Sequence, residues 1–547
     1  MKRSLHPRRG ERRFGTAGAA RFTAALLIAI ALFACGDDDD DTAVDGLRFG
    51  NKGPIATEAG RGSFTFGVAT AATQIEDENP DTDWYLWTAP EPQGLGNGVF
   101  VGEASRGFTK AIEDVELIRD LALDVYRFSV EWSRIEPQRD AVNEEGLAHY
   151  DRMIDALVAA GIAPMITVHH FSSPVWVDDP RVANCAGGPS DTNLCGWTHP
   201  QGAALIIEEL AEHARLLAER YGDRVDDWTT LNEPVNYLLA SYGVGFFPPG
   251  RSFMLSDFPT FIDAVRNYIR AHVAVYEAIK EADTVDADGD GVAAHVGFTL
   301  NTIEWLPSRD NAPSDRAEDI AAADRLTYAY HHLFVDSLIH GGFDADLDQE
   351  REESHPDWQG KIDWLGVQYY SRNGVTAEPA IIPVLNLMPC FGEFDLGSCV
   401  APDDPTHWVP AMRYEYYAPG LYNVLVDFAQ RWPELPMTVT ESGLATENGR
   451  RRAEHVVRSL EQIHRAIEEG ADVRGYYHWS LYDNFEWAEG YEPRFGLYRV
   501  DFTTYERSPT EGAEILAEIA RDRIIRREVQ ETYGGLGPMS PEEDLEM

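Results

Sequence analysis

Eight short apolar, β-branched runs recur along the chain, at 64–69, 125–130, 163–169, 226–231, 295–300, 362–369, 437–440 and 473–481. Longer stretches with apolar residues every three and four positions lie between them, at 109–121, 147–160, 203–221, 258–282, 319–339 and 453–469. The first pattern is that of buried strands and the second that of amphipathic helices. Two strands joined through a helix run parallel, because the crossover brings the chain back to its starting edge. Eight such units predict a closed parallel sheet rather than an open one: an α/β protein with a single (β/α)8 TIM barrel over residues 63–526. In such barrels the chemistry sits at the C-terminal ends of the strands.

The 547 residues are 44% hydrophobic and 25% charged, a composition that fills one large core with extensions and is not that of a disordered chain. Asp and Glu number 92 against 46 Lys and Arg, giving a net charge of -46. Such a surface repels phosphate backbones, so nucleic acid is excluded as a partner.

Residues 1–21 carry seven basic side chains and one acid, and the thirteen-residue apolar run 22–34 follows. That run is too short to span a bilayer comfortably and reads as an export signal. It ends in Leu32-Phe33-Ala34-Cys35-Gly36, which resembles a bacterial lipoprotein cleavage box. The resemblance makes 1–34 a signal peptide and Cys35 the lipidated first residue, tying the exported protein to a membrane of the cell envelope. Residues 35–62, opening with Asp37 to Asp41, read as a flexible acidic tether, and 527–547 as a loose acidic tail. The other four cysteines form two close pairs, Cys185 with Cys195 and Cys390 with Cys399, each in a loop rich in Gly, Pro and Asp. Disulfides suit an exported chain; zinc is the rival, but the spacings are wide and no histidine accompanies them.

The turn Asp286-Ala287-Asp288-Gly289-Asp290-Gly291 matches the first half of a calcium-binding loop, making Asp286, Asp288 and Asp290 weak ligand candidates. Gly297 stands where the bidentate glutamate belongs, and a tight acidic turn is the alternative.

Two strand ends carry a glutamate directly after apolar sequence: Trp228-Thr229-Thr230-Leu231-Asn232-Glu233-Pro234 and Thr438-Val439-Thr440-Glu441-Ser442-Gly443. On the fourth and seventh strands of a barrel these face one another across the mouth, as a glycosidase pair does. A separation of about 5 to 5.5 Å would make the reaction a retaining one.

From Phe64 to about Ser508 the sequence resembles glycoside hydrolase family 1 β-glucosidases. The likeness runs through Phe66-Gly67-Val68-Ala69-Thr70-Ala71-Ala72-Thr73-Gln74-Ile75-Glu76, Tyr126-Arg127-Phe128-Ser129, Val168-His169-His170-Phe171 and both glutamate motifs. It ends with Trp479-Ser480-Leu481-Tyr482-Asp483-Asn484-Phe485-Glu486-Trp487. The resemblance implies that Glu441 is the nucleophile, supported by Arg127 and Tyr370, and that Glu233 is the acid/base. It also implies that Asn232 holds the sugar 2-hydroxyl and that Gln74, His170, Trp479, Glu486 and Trp487 bind the sugar. The substrate is then a small β-glucoside or short β-linked oligosaccharide, with no cofactor or metal. Galactosides and fucosides are accepted as well. A non-catalytic glycan-binding barrel and a 6-phospho-β-glycosidase are the alternatives; the first loses a carboxylate, and both are present here. Three positions depart from the family pattern: Gln368 for Asn, Ser442 for Asn, and Asp77 for Gly. The long loops after the third and sixth strands, including 185–195 and 383–408, are expected to wall the aglycone side.

Overall fold

The computed structural model describes residues 45–392 and 395–542. Eight strands form the barrel: β1 (Thr65–Ala69), β2 (Val125–Ser129), β3 (Ala163–His169), β4 (Asp227–Asn232), β5 (His295–Arg309), β6 (Trp364–Thr376), β7 (Met437–Ser442) and β8 (Val473–Trp479). Each pairs in parallel with the next, and β8 pairs with β1, closing the sheet. The eight expected strands are all present. β5 and β6 run well past their expected ends and stay paired as far as Pro307 and Val375. Their extensions mix buried with half-buried, partly polar positions, so they do not stand out as continuous apolar runs.

The outer ring comprises α1 (Ala111–Asp120), α2 (Glu144–Ala159), α3 (Pro200–Tyr221), α4 (Phe258–Ala282), α5 (Ala317–Thr327), α6 (Ala418–Arg431), α7 (Gly449–Glu468) and α8 (Glu511–Asp522). α5 continues through a π-helical turn, Tyr328–His332, into Leu333–His340. Inside the barrel, packing leaves little space. A β-carbon on Gly366 would lie 2.5 Å from Thr299 Cγ2 and 2.7 Å from Thr440 Oγ1, so glycine lets three neighbouring strands meet there.

Both ends of the described chain correct the sequence reading. Residues 45–62, expected as flexible, are packed beneath the barrel. Gly46–Arg48 pairs antiparallel with Ile524–Arg526, and the Phe49 ring lies 4.6 Å from that of Phe64. Ile55 is buried with Val125, Met165, Trp364 and Tyr477, plugging the end of the barrel opposite the mouth. After Arg526 the expected loose tail is instead a helix, Arg527–Tyr533, followed by a strap along α7. Arg458 on α7 donates to the carbonyls of Gly537 (2.8 Å) and Pro538 (3.0 Å), and Met539 is buried. The strap ends beside loops of the mouth, where Met539 N donates to Thr406 Oγ1 and Asn448 Nδ2 to the carbonyl of Pro541. Polar composition hid these segments, because what holds them is mainly backbone carbonyls on buried arginines. Cys35, the signal peptide, residues 35–44 and residues 543–547 lie outside the described residues.

The two disulfides join the expected partners, Cys185 with Cys195 and Cys390 with Cys399. The acidic turn closes on itself: Asp286 accepts from the backbone of Gly289, Asp290 and Gly291. Asp290 lies 3.1 Å from His295 Nε2 and accepts from Thr57 Oγ1. Asp288, Asp290 and His295 thus cluster, whereas Asp286 is engaged by the turn's own amides. A histidine among the donors does not fit the all-oxygen shell of calcium.

Candidate active site

Glu233 and Glu441 reach the barrel mouth by local irregularities of the sheet. The register of β4 against β5 slips between Thr229 and Asn232, and that of β7 against β8 between Val439 and Ser442. Such bulges re-aim side chains at the rims of barrels. Glu233 follows β4 with left-handed backbone (φ 43°, ψ 62°) and leads into the short helix Pro234–Leu238. Phe171 and Trp487, on the same wall, also have positive φ (64° and 49°). Non-glycine residues hold this conformation only where their surroundings enforce it, a pattern typical of working sites.

The two carboxyls are both buried but differently solvated by the protein. Glu441 accepts from Arg127 Nη1 at 2.5 Å, Gln368 Nε2 at 2.6 Å and Tyr370 Oη at 2.7 Å. Glu233 accepts from Asn236 Nδ2 at 2.6 Å. Burial raises the affinity of both for a proton. The charge on Glu441 raises that of Glu233 further, while Arg127 and the Tyr370 hydroxyl pull Glu441 back down. With one proton between them, the asymmetry of donors places it on Glu233 and leaves Glu441 ionised.

Arg127 lies fully buried behind this pair, and its Nη2 donates to Asn232 Oδ1 at 2.6 Å. Gln368 Nε2 reaches the same oxygen at 2.8 Å. The longer amide at this departure from the family pattern therefore ties Asn232 to Glu441 directly. The other two departures are local: Ser442 Oγ lies 3.3 Å from His455 Nε2, and Asp77 accepts from the backbone and hydroxyl of Thr109 ahead of α1.

Gln74, His170, Asn232, Tyr370, Trp479, Glu486 and Trp487 all line one cavity of about 450 Å³ with Glu233 and Glu441. Gln74 Nε2 donates to the Phe485 carbonyl (2.8 Å) and to Glu486 Oε2 (3.2 Å). Its Oε1 and the Nδ1 of His170 are buried with no hydrogen-bond partner among the described residues. Burial, with the charge of Arg127, keeps His170 well below the usual histidine range, so it is neutral. A neutral imidazole presents one donor and one acceptor. Its ring lies nearly parallel to Trp479 and Trp487, at 6.1 and 6.0 Å. Glu486 is pushed up to about 8 by burial and by the charge on Glu441, with Trp479 and Gln74 opposing. Unpartnered buried polar atoms beside flat aromatic faces suit a ring bearing many hydroxyls.

Sequence reasoning missed the support of Glu233. Asn301 Nδ2 donates to Tyr330 Oη at 3.1 Å, Tyr330 Oη to Asn236 Oδ1 at 3.3 Å, and Asn236 to Glu233. Asn236 stands three residues after Glu233 at the start of a helix, the spacing at which side chains meet, and could have been read from that. Tyr330 could not, because its place depends on the π-helical turn after α5. The aglycone wall also differs from expectation. The loop after β6 contributes Ile382, Leu385 and Phe391, but 185–195 contributes nothing, and the segment after β4 takes its place with Val235, Leu239 and Phe246.

The sequence profile described as Glycosyl hydrolase family 1 matches residues 57–524. The chain is 32% identical over 470 residues to "Beta-glucosidase A" of Thermotoga maritima, covering 81% of this chain and 94% of that one. It is 30% identical over 518 residues to "Beta-galactosidase" of Pyrococcus woesei, covering 86% and 98%. Among solved structures, the β-glycosidase from Pyrococcus horikoshii superposes with a TM-score of 0.71 at 28% identity, covering 89% of this chain and all of that one. With the carboxyl pair at the ends of β4 and β7 and a matching profile over most of its length, the chain belongs to glycosyl hydrolase family 1.

Proposed function

We propose that the protein removes terminal, non-reducing β-D-glucosyl residues by double displacement, with Glu441 as nucleophile and Glu233 as acid/base. The observation that carries this reading is the unequal solvation of two buried carboxyls, three donors on one and a single amide on the other. Ionised Glu441 attacks the anomeric carbon while Glu233 gives its proton to the glycosidic oxygen, so the aglycone leaves as a neutral alcohol. Glu233, now a carboxylate, takes a proton from water, whose oxygen attacks the same carbon and expels Glu441. Arg127, Tyr370 and Gln368 hold Glu441 in place. Asn232, with its carbonyl oxygen tied to Arg127 and Gln368, has its amide hydrogens to offer the sugar 2-hydroxyl, a contact that tightens in the transition state. Two inversions leave the configuration unchanged. Proton NMR of a fresh nitrophenyl β-glucoside digest is expected to show β-glucose first; α-glucose first would refute the assignment of Glu441.

Gln74, His170, Trp479, Glu486 and Trp487 form the sugar site in this reading. Glu486 and Gln74 reach either orientation of the 4-hydroxyl, so β-galactosides and β-fucosides are accepted too. The relatives named a β-glucosidase and a β-galactosidase support that breadth. A 6-phosphorylated sugar is refused. Among the lining side chains only Arg413 is cationic, and it is paired with Glu489 at 2.7 Å. A phosphate dianion placed there would share a poorly hydrated cavity with the ionised Glu441. We expect kcat/KM for nitrophenyl β-glucoside to exceed that of its 6-phosphate by about 100-fold or more, the scale of a few kcal/mol of unscreened repulsion. A preference for the phosphate would overturn the substrate class.

We also propose that a lipid on Cys35 ties the exported protein to the cell envelope. The short apolar run ending in Leu32-Phe33-Ala34-Cys35 supports this. Labelled palmitate is expected in the wild type and absent from Cys35→Ser; unlabelled wild-type protein in the medium would refute it.

A further inference from the structure

The cavity that holds the two glutamates extends well beyond the space beside them, and beyond the acid/base it changes character. Val235 and Leu239 line it immediately after Glu233, and its walls also include Phe261 and Ile262 of α4 and Leu326 and Leu333 of the α5 segment. These four are almost fully buried, with exposures of 7%, 5%, 7% and 3%, as expected of side chains lining an internal space. Some polar groups of the lining are engaged with one another, while Trp305 Nε1, on a ring edge-on to Tyr330, and Tyr414 Oη are buried with no hydrogen-bond partner among the described residues. Asn301, Tyr330 and Asn236 form the chain that ends on Glu233, and Arg413 is paired with Glu489. At the rim, Phe246 and Phe391 line the same cavity and are 60% and 36% exposed. Ile381 and Val384, also exposed, lie on the loop that carries Phe391. Exposed apolar side chains at a cavity opening, here Phe246 and Phe391, mark a binding surface.

We infer that the aglycone site is an apolar chamber running from Glu233 between α4 and α5, and that the preferred substrates are β-glucosides with an extended aliphatic aglycone rather than cello-oligosaccharides. The inference rests on the β-glucosidase reading above and narrows its substrate class. A second glucose in this space would find two unpartnered groups, Trp305 Nε1 and Tyr414 Oη, but would place most of its hydroxyls against leucine, isoleucine and phenylalanine, whereas an alkyl chain loses only water. Because simple alkanols are similar leaving groups, any gain along a homologous series reflects binding of the chain.

The test is kcat/KM of the full mature protein for methyl, butyl, hexyl and octyl β-glucosides below their micellar concentrations, beside cellobiose and nitrophenyl β-glucoside. A buried methylene corresponds to a factor of up to about four, so hexyl is expected to exceed methyl by at least about tenfold and to exceed cellobiose. In Leu326→Gln and Ile262→Gln the octyl-to-methyl ratio within each variant is expected to collapse towards one; a ratio taken within one preparation is insensitive to partial loss of folded protein. A flat alkyl series, or cellobiose preferred to hexyl glucoside, while nitrophenyl β-glucoside is turned over normally, would overturn the chamber and leave the β-glucosidase reading standing. No turnover of nitrophenyl β-glucoside by folded protein would overturn that underlying reading instead.

Discussion

Glu441→Gly is expected to lower kcat on the order of 10⁵-fold for every glycoside, whatever its leaving group, which is the scale on which loss of a nucleophile acts in covalent catalysis. The loss is uniform because no later step can proceed without the glycosyl-enzyme. It is also separable from misfolding. Removing the carboxylate leaves a space beside the anomeric carbon next to Arg127, Gln368 and Tyr370, three donors arranged to hold an anion. Added azide should enter it, attack dinitrophenyl β-glucoside from that face and release the α-glucosyl azide and dinitrophenolate. A variant with wild-type-like circular dichroism that kept hydrolysis near the wild-type rate without azide would count against Glu441 as the attacking group.

The second large effect depends on the leaving group. Glu233→Ala is expected to slow glycosylation of alkyl glucosides by about 10²- to 10⁴-fold, the usual contribution of general acid catalysis, and to spare dinitrophenyl glucosides, whose phenolate departs without a proton. The pH profile carries the same assignment. On that assignment the wild type is expected to be active while Glu233 is protonated and Glu441 is not. Burial and the charge on Glu441 raise the acid/base above the usual carboxylate range, so activity falls as pH rises through that raised value. In the glycosylation step of Glu233→Ala with dinitrophenyl glucoside this alkaline limb should vanish. An unchanged limb, or equal slowing of alkyl and dinitrophenyl substrates, would assign the proton to another group.

How much of this was legible beforehand follows from what each feature depends on. The strands were readable because a parallel sheet buried on both faces needs unbroken apolar runs. That Glu233 and Glu441 share one cavity was readable because a barrel fixes where strand ends meet, so the two needed only their strand numbers. The roles proposed for Gln74, His170 and Glu486 rest on family resemblance; no local pattern marks them. Hidden features were those whose partners lie far away in sequence. Tyr330 serves Glu233 from 97 positions downstream, and only because the helix after α5 widens by one turn. The ends of the body were misread because arginines and main-chain carbonyls hold them in place of periodic apolar side chains. The 185–195 loop was expected at the mouth on length alone, but the segment after β4 lines the cavity in its place.

The different courses of the two termini have a practical meaning for handling the enzyme. Residue 45 emerges at the floor of the barrel, beside the paired strands Gly46–Arg48 and Ile524–Arg526, with the whole depth of the sheet between it and the carboxylates. Residue 542 ends at the other face, its carboxylate accepting from Thr446 Oγ1 just past β7. A bead, sensor surface or fusion partner joined directly ahead of residue 45 therefore leaves the opening clear for bulky glycosides, whereas the same attachment directly after residue 542 stands at the doorway.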